Sequence, residues 1–323
     1  MTDPRFKFLL LAFTLFGLIG LKILYVNNHK LNYLFEGSTS LHAHVYRDSA
    51  EPGKKIGIIL GSSAVSGELV PLATTVSDNL NRMSEQYITY NLATMQGTPM
   101  VAAIYLELAR EFRKPDFVVI GVSPDFIPGE ITYTPIAEYH FKHLQSYLTT
   151  QQINEFQIRA AKKNSLQGKV ALLNRVTIPY FSMLKVREWM WHMKEQIFHQ
   201  AMKKQIKPLS FDPSHLVSEN NFSLQLLARL CQNLRENKIA VLLYMEPQYN
   251  PDFVYSMGSF QKYSADLKSW ALAQGISLLD LVNLVPSTNE YFVDYIHLKP
   301  KGNHLVALKI NEWLLEQEHS GVH

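Results

Sequence analysis

A single cysteine, Cys231, among 323 residues leaves no partner for an intramolecular disulfide. It also leaves no ligand set for a Cys-rich zinc or iron–sulfur site. An excess of one charge is equally lacking: 31 Lys and Arg face 28 Asp and Glu, a formal +3. That is too little to argue a nucleic-acid partner from the whole chain. A glycine-rich phosphate cradle is absent too, because Gly61, Gly67 and Gly97 fit neither Walker nor dinucleotide spacing. His42-Ala43-His44 and His140-x-x-His143 have no carboxylate or cysteine at a metal-ligand spacing, so they read as surface histidines. No metal and no organic cofactor is expected. With 47% hydrophobic and 18% charged residues the composition is that of a globular chain, neither disordered nor collagen-like. A mean hydropathy of −0.07 excludes a polytopic membrane protein. The length corresponds to one large domain or two small ones.

Long apolar runs are scarce, and the exception stands at the N-terminus. After Arg5 and Lys7, Phe8–Val26 is apolar apart from Lys22 near its end. It just reaches the roughly 20 residues that span a bilayer core, with Lys22 able to snorkel. A cleaved signal peptide is the rival, but no small-x-small cleavage site precedes Asn27-Asn28. The expectation is an uncleaved anchor over 1–27. Arg5 and Lys7 against Asp3 place its N-terminus in the cytoplasm, the anchor in the cytoplasmic membrane and the rest outside. Residues 28–53 show no sustained period and read as a stalk; 54–323 then form the folded domain.

Within that domain, short apolar runs bounded by turn residues predict buried parallel strands. They are Lys55–Leu60, Tyr87–Asn91, Phe117–Val122, Ile239–Met245 and Ile276–Leu281. Helical patterns over Pro99–Phe112, Phe222–Glu236 and Ser264–Gln274 alternate with them, which predicts an α/β fold with helices on both faces of a parallel sheet. A helical insert at about 127–220 breaks the alternation. Residues 140–210 hold twelve Lys and Arg against three Glu, an excess of nine positive charges. Inside the insert, Phe181–Lys204 interleaves Met, Trp and Phe with basic residues. It reads as a cap helix packed on the sheet or as a basic amphipathic helix for a membrane surface or partner.

Three separated pieces carry chemistry. Gly61-Ser62-Ser63 ends the first strand, at the edge where open α/β sheets bind ligands. Alone, such a run is more often a turn with a helix cap than a nucleophile. Asp294-x-x-His297 precedes a helix expected from about Gly302 to Glu316, and the pair can supply a base and its orienting carboxylate. Alone, such a pair is structural in most proteins. Two loops follow the intervening strands, Asn91–Thr98 and Gly121–Phe126. Gly97 permits close backbone approach, which suits its N–H to an oxyanion. Glu246 and Asp280 end later strands at the same edge; the first reads as pocket lining or a loop cap, the second has no assigned task.

In this order the pieces resemble the SGNH (GDSL-type) hydrolase superfamily over roughly Lys55–Glu316, the insert excepted. The resemblance implies a three-layer flavodoxin-like fold. It makes Ser63 the nucleophile, with Ser62 in place of the family's Asp, and matches Asp294, His297 and Gly302 to the final block. It further implies an oxyanion hole from Ser63, Gly97 and the third block. That block normally reads Gly-x-Asn-Asp; here Gly121-Val122-Ser123-Pro124-Asp125 puts Ser123 at the Asn position.

With the anchor, the chain resembles membrane-tethered members such as the D-alanine transfer protein and polysaccharide O-acyltransferase-like proteins. The implied activity is serine acyl transfer, as acyltransferase or esterase, on O-acyl groups of a cell-envelope glycopolymer. The partners implied are that polymer or an acyl-carrying substrate, the membrane and a multipass O-acyltransferase; no nucleic acid is expected. The alternatives are a lipid-directed esterase or lysophospholipase and a non-catalytic scaffold for a multipass acyltransferase.

Overall fold

The computed structural model describes residues 53–163 and 209–320, apart from 68–69, 71–73, 95–96, 112, 129–140, 210 and 257. The expected anchor, the stalk and the stretch Phe181–Lys204 lie outside the described residues. Among the described residues no helix is long and apolar enough to cross a membrane.

From the N-terminal end the elements are β1 (Lys55–Leu60), α1 (Ser63–Ser66), α2 (Val76–Met83), β2 (Tyr87–Asn91), α3 (Pro99–Arg110) and β3 (Phe117–Val122). Short helices α4 (Phe141–Leu144) and α5 (Thr150–Lys163) follow, then α6 (Phe222–Glu236), β4 (Ala240–Met245), α7 (Pro251–Val254), α8 (Ser259–Ala273), β5 (Ser277–Asp280) and α9 (Pro300–Ser320). All five strands pair in parallel, in the order β2-β1-β3-β4-β5. This is the flavodoxin-like order, in which β1 and β3 flank the point where the winding reverses and ligands bind at the strand ends.

The strands form where the sequence is apolar on both faces. Ile58 and Leu60 of β1, Val118 and Ile120 of β3 and Leu243 of β4 turn to a core shared with α3, α6 and α8. Ile59, Val119 and Leu242 turn to a second core with α2 and α9, where Leu80, Val306 and Ile310 meet them. Side-chain alternation in a strand sets this division. Each such fully buried aliphatic side chain contributes roughly 1.5–3 kcal/mol relative to exposure.

Strand ends were legible almost to the residue; helices were less so. The polar helix α2 was not expected from its apolar periodicity. A capping box starts it: Thr75 accepts from the Asp78 N–H, and the Asp78 carboxylate accepts from the Thr75 N–H. Helix α8 begins earlier than expected, after Gly258. Helix α9 begins at Pro300, where a proline costs no hydrogen bond. In the insert, the described residues contain the helices α4 and α5 and no strand.

Candidate active site

Strand β1 delivers its C-terminal end into a tight turn. Ser62 caps α1 with its side chain, whose Oγ accepts the Ala64 N–H at 3.3 Å. Ser63 is thus the first helical residue, half-buried, with an N–H that the helix does not use. Asn91, at the tip of the neighbouring β2, holds the far end of this turn. Its Nδ2 donates to the Val65 and Ser66 carbonyls at 3.0 and 3.3 Å, and its Oδ1 accepts the Ala93 N–H at 3.1 Å.

The loop before α9 arrives from the other end of the chain. It is closed by Val293 N–H to the His297 carbonyl and Lys299 N–H to the Tyr291 carbonyl, both 2.7 Å. Asp294 Oδ1 accepts the backbone N–H groups of Ile296 and His297 at 3.0 and 2.8 Å. The same carboxylate meets His297 Nδ1, at 2.9 Å from Oδ1 and 2.8 Å from Oδ2. A ring nitrogen facing a carboxylate carries the proton, which leaves Nε2 as the acceptor. Nε2 lies 3.0 Å from Ser63 Oγ. Residues 234 positions apart thus form one chain of hydrogen bonds, hydroxyl to imidazole to carboxylate.

His297 is 18% and Asp294 34% exposed, so a small molecule can reach the pair. Burial pulls the Asp294 carboxyl upward. The His297 ring and the two backbone N–H groups outweigh this and hold it below its ordinary value. Tyr295 ties the loop to its neighbours: its O–H donates to Asp125 Oδ2 at 3.0 Å, and its carbonyl accepts the Tyr249 N–H at 2.9 Å.

The expected oxyanion donors are arranged differently. Gly97 makes the close approach: a Cβ there would lie 2.1 Å from the Gly61 carbonyl oxygen. Its N–H, however, donates to the Thr94 carbonyl at 3.0 Å, a bond it would have to give up to serve an oxyanion. Ser123 is 1% exposed, with a hydroxyl that makes no hydrogen bond of ordinary geometry. It is buried at the β3 tip, near the Glu246 carboxyl. The Ser63 N–H is the donor best placed near the hydroxyl.

Glu246 lines a small cleft beside the triad, with Ala64, Val65, Tyr244, Ile296 and Leu298. The space it encloses is about 10 Å³, about enough for one water molecule. The Ser62 and Ser123 hydroxyls favour the Glu246 anion, but burial wins and pushes the carboxyl up to about 8. Position at a strand tip was readable in the sequence; a buried carboxyl pushed up by desolvation was not. Asp280 is structural: it pairs with Lys268 and accepts the Val282 N–H. Among the described residues no cluster of three His, Cys, Asp or Glu could hold a metal. His143 faces Glu111 at 3.7 Å, and His42, His44 and His140 lie outside the described residues.

No protein-family model matches the chain, and no curated protein matches it. Among solved structures it is similar to a member of the lipolytic protein G-D-S-L family from Veillonella parvula. The identity is 12%, over 80% of this chain and 97% of that one, with a TM-score of 0.43. It is also similar to the lipase/acylhydrolase from Enterococcus faecalis, at 13% identity over 80% and 95% of the two chains and a TM-score of 0.43. At these TM-scores neither match adds weight of its own. The chemistry of the site rests on Ser63, His297 and Asp294.

Proposed function

We propose that the protein is an SGNH-type serine acyl-transfer enzyme acting on O-acyl groups of a cell-envelope glycopolymer, tethered to the membrane by residues 8–26. The observation that carries the chemistry is the hydrogen-bonded chain from Ser63 Oγ through His297 to Asp294. Ser63 Oγ attacks the acyl carbonyl carbon while its proton passes to His297 Nε2. Asp294 stabilises the imidazolium, and the Ser63 N–H faces the developing oxyanion. The C–O bond to the leaving alcohol breaks and Nε2 returns the proton to that oxygen. A sugar hydroxyl or water then attacks the acyl-enzyme and gives its proton to Nε2; the acyl C–Oγ bond breaks, Nε2 passes the proton to Ser63 Oγ, and the acylated sugar or free acid leaves. The glycopolymer rests on the sequence reading of an outward-facing anchored domain.

The test is hydrolysis of an activated acetyl ester and labelling by a fluorophosphonate. Ser63→Ala is expected to lose about 10⁴-fold or more in ester turnover and all labelling. Retention of full activity by this variant would end the mechanism. Product analysis with polymer acceptor against water separates transferase from esterase. A second reading, a non-catalytic scaffold, is favoured by the Gly97 N–H being taken by the Thr94 carbonyl and by the burial of Ser123. A wild-type protein that binds polymer but resists the fluorophosphonate would decide for it.

A further inference from the structure

The acyl-transfer steps leave one buried acid unused. Glu246 follows β4, and its backbone N–H donates to the Val122 carbonyl at 3.0 Å. Its side chain lies over Gly121 of β3, where an added Cβ would be 2.9 Å from Oε1. The same Cβ would be 2.4 Å from Val65 Cγ2, so the missing side chain at 121 lets both Glu246 and the nucleophile turn settle onto the sheet. Glu246 is 2% exposed, and neither carboxyl oxygen makes a hydrogen bond of ordinary geometry. Ala64 and Val65 of α1 line the same small space, and the Ser62 and Ser123 hydroxyls lie near the carboxyl.

We propose that Glu246 is a positioning residue that seats the nucleophile turn from its buried place between the Ser62 and Ser123 hydroxyls at the tips of β1 and β3. The proposal rests on the acyl-transfer reading of Ser63.

A neutral carboxyl has one acceptor oxygen and one donor O–H. Ser62 Oγ already accepts from Ala64, so its own proton is left to donate to that acceptor. The carboxyl O–H is left for Ser123 Oγ. The carboxylate form could accept but not donate, and it would stand in the core as a charge. The groups facing it offer no counter-charge. Asp125, from the segment after β3, opposes a second negative charge. Tyr244 of β4, Tyr255 after α7, Tyr263 of α8 and Tyr295 of the His297 loop are phenols that burial pushes up and the Glu246 charge pushes further. Helix α1 contains no titratable group, and α2 and α9 line the cleft with Val76, Asn303 and Val306. Loss of the proton thus draws water toward the carboxylate and loosens the turn on which Ser63 Oγ meets His297.

The experiment is the rate of fluorophosphonate labelling of Ser63 in the full chain from about pH 6 to about pH 9, with circular dichroism establishing that the protein stays folded. Protonation of His297 accounts for a fall on the acid side. In wild type the rate is expected to drop roughly tenfold between about pH 7 and pH 9, as about nine-tenths of Glu246 ionises. In Glu246→Gln, which cannot ionise, that ratio is expected to stay within about twofold. A buried acid with a purely structural role would alter melting while leaving the labelling rate of folded protein level. Infrared difference spectra of wild type add a readout that needs no variant: a protonated-carboxyl C=O band is expected to vanish over the same range as the rate falls. An unchanged alkaline fall in Glu246→Gln, or no fall in wild type, overturns the role of Glu246 and leaves the acyl-transfer reading standing. No labelling of folded wild type at any pH overturns both.

Discussion

Holding Glu246 neutral in the fold has a cost that can be read as stability against pH. An unfolded chain ionises this group near its ordinary value of 4.5, whereas the fold keeps the proton until about 8. Between those values the native state binds one more proton than the unfolded state, so stability falls as pH rises, by about 1.4 kcal/mol per pH unit. Below 4.5 both states are protonated and above 8 both are ionised, so the effect is confined to that window. From about pH 5 to about pH 8 the loss amounts to roughly 3–4 kcal/mol. Glu246→Gln removes this dependence, and the tyrosines its charge affects titrate far above the window, so the difference between the two proteins isolates it. Urea denaturation of both at half-unit pH steps is the assay. The stability of wild type relative to the variant is expected to decline steadily from pH 5 and to level off above pH 8. A difference independent of pH would show that Glu246 ionises in the fold as it does in water, and the reasoning from its burial would be wrong.

Two further outcomes follow from the site. Asp294→Asn keeps the loop contacts at Oδ1 but takes away the charge that stabilises the imidazolium, and turnover of an activated ester is expected to fall about 10³–10⁴-fold with little change in melting temperature. Asn91→Ala removes three hydrogen bonds beneath α1. A stability loss of about 2–4 kcal/mol and slower labelling of Ser63 are expected, measured by urea denaturation and fluorophosphonate kinetics.

The sequence alone determined the five strands and their character, because a parallel strand buried on both faces must be apolar along its length and must end in turn residues. Lys55–Leu60 and Phe117–Val122 were readable for that reason. It also determined which residues stand at strand tips: Ser63, Ser123 and Glu246 sit where each apolar run stops. Helix α2 escaped because its start is set by the Thr75–Asp78 cap and its sequence is mostly polar. How those tips face one another is set by packing between distant segments. The approach of His297 to Ser63 depends on the loop from Tyr291 to Lys299 folding back over the sheet. The Gly97 N–H is taken by the Thr94 carbonyl, and the upward push on the Glu246 carboxyl depends on how much water the packing around it excludes. Strand character is a property of consecutive residues, while hydrogen-bond reach and desolvation are properties of distances that consecutive residues do not contain.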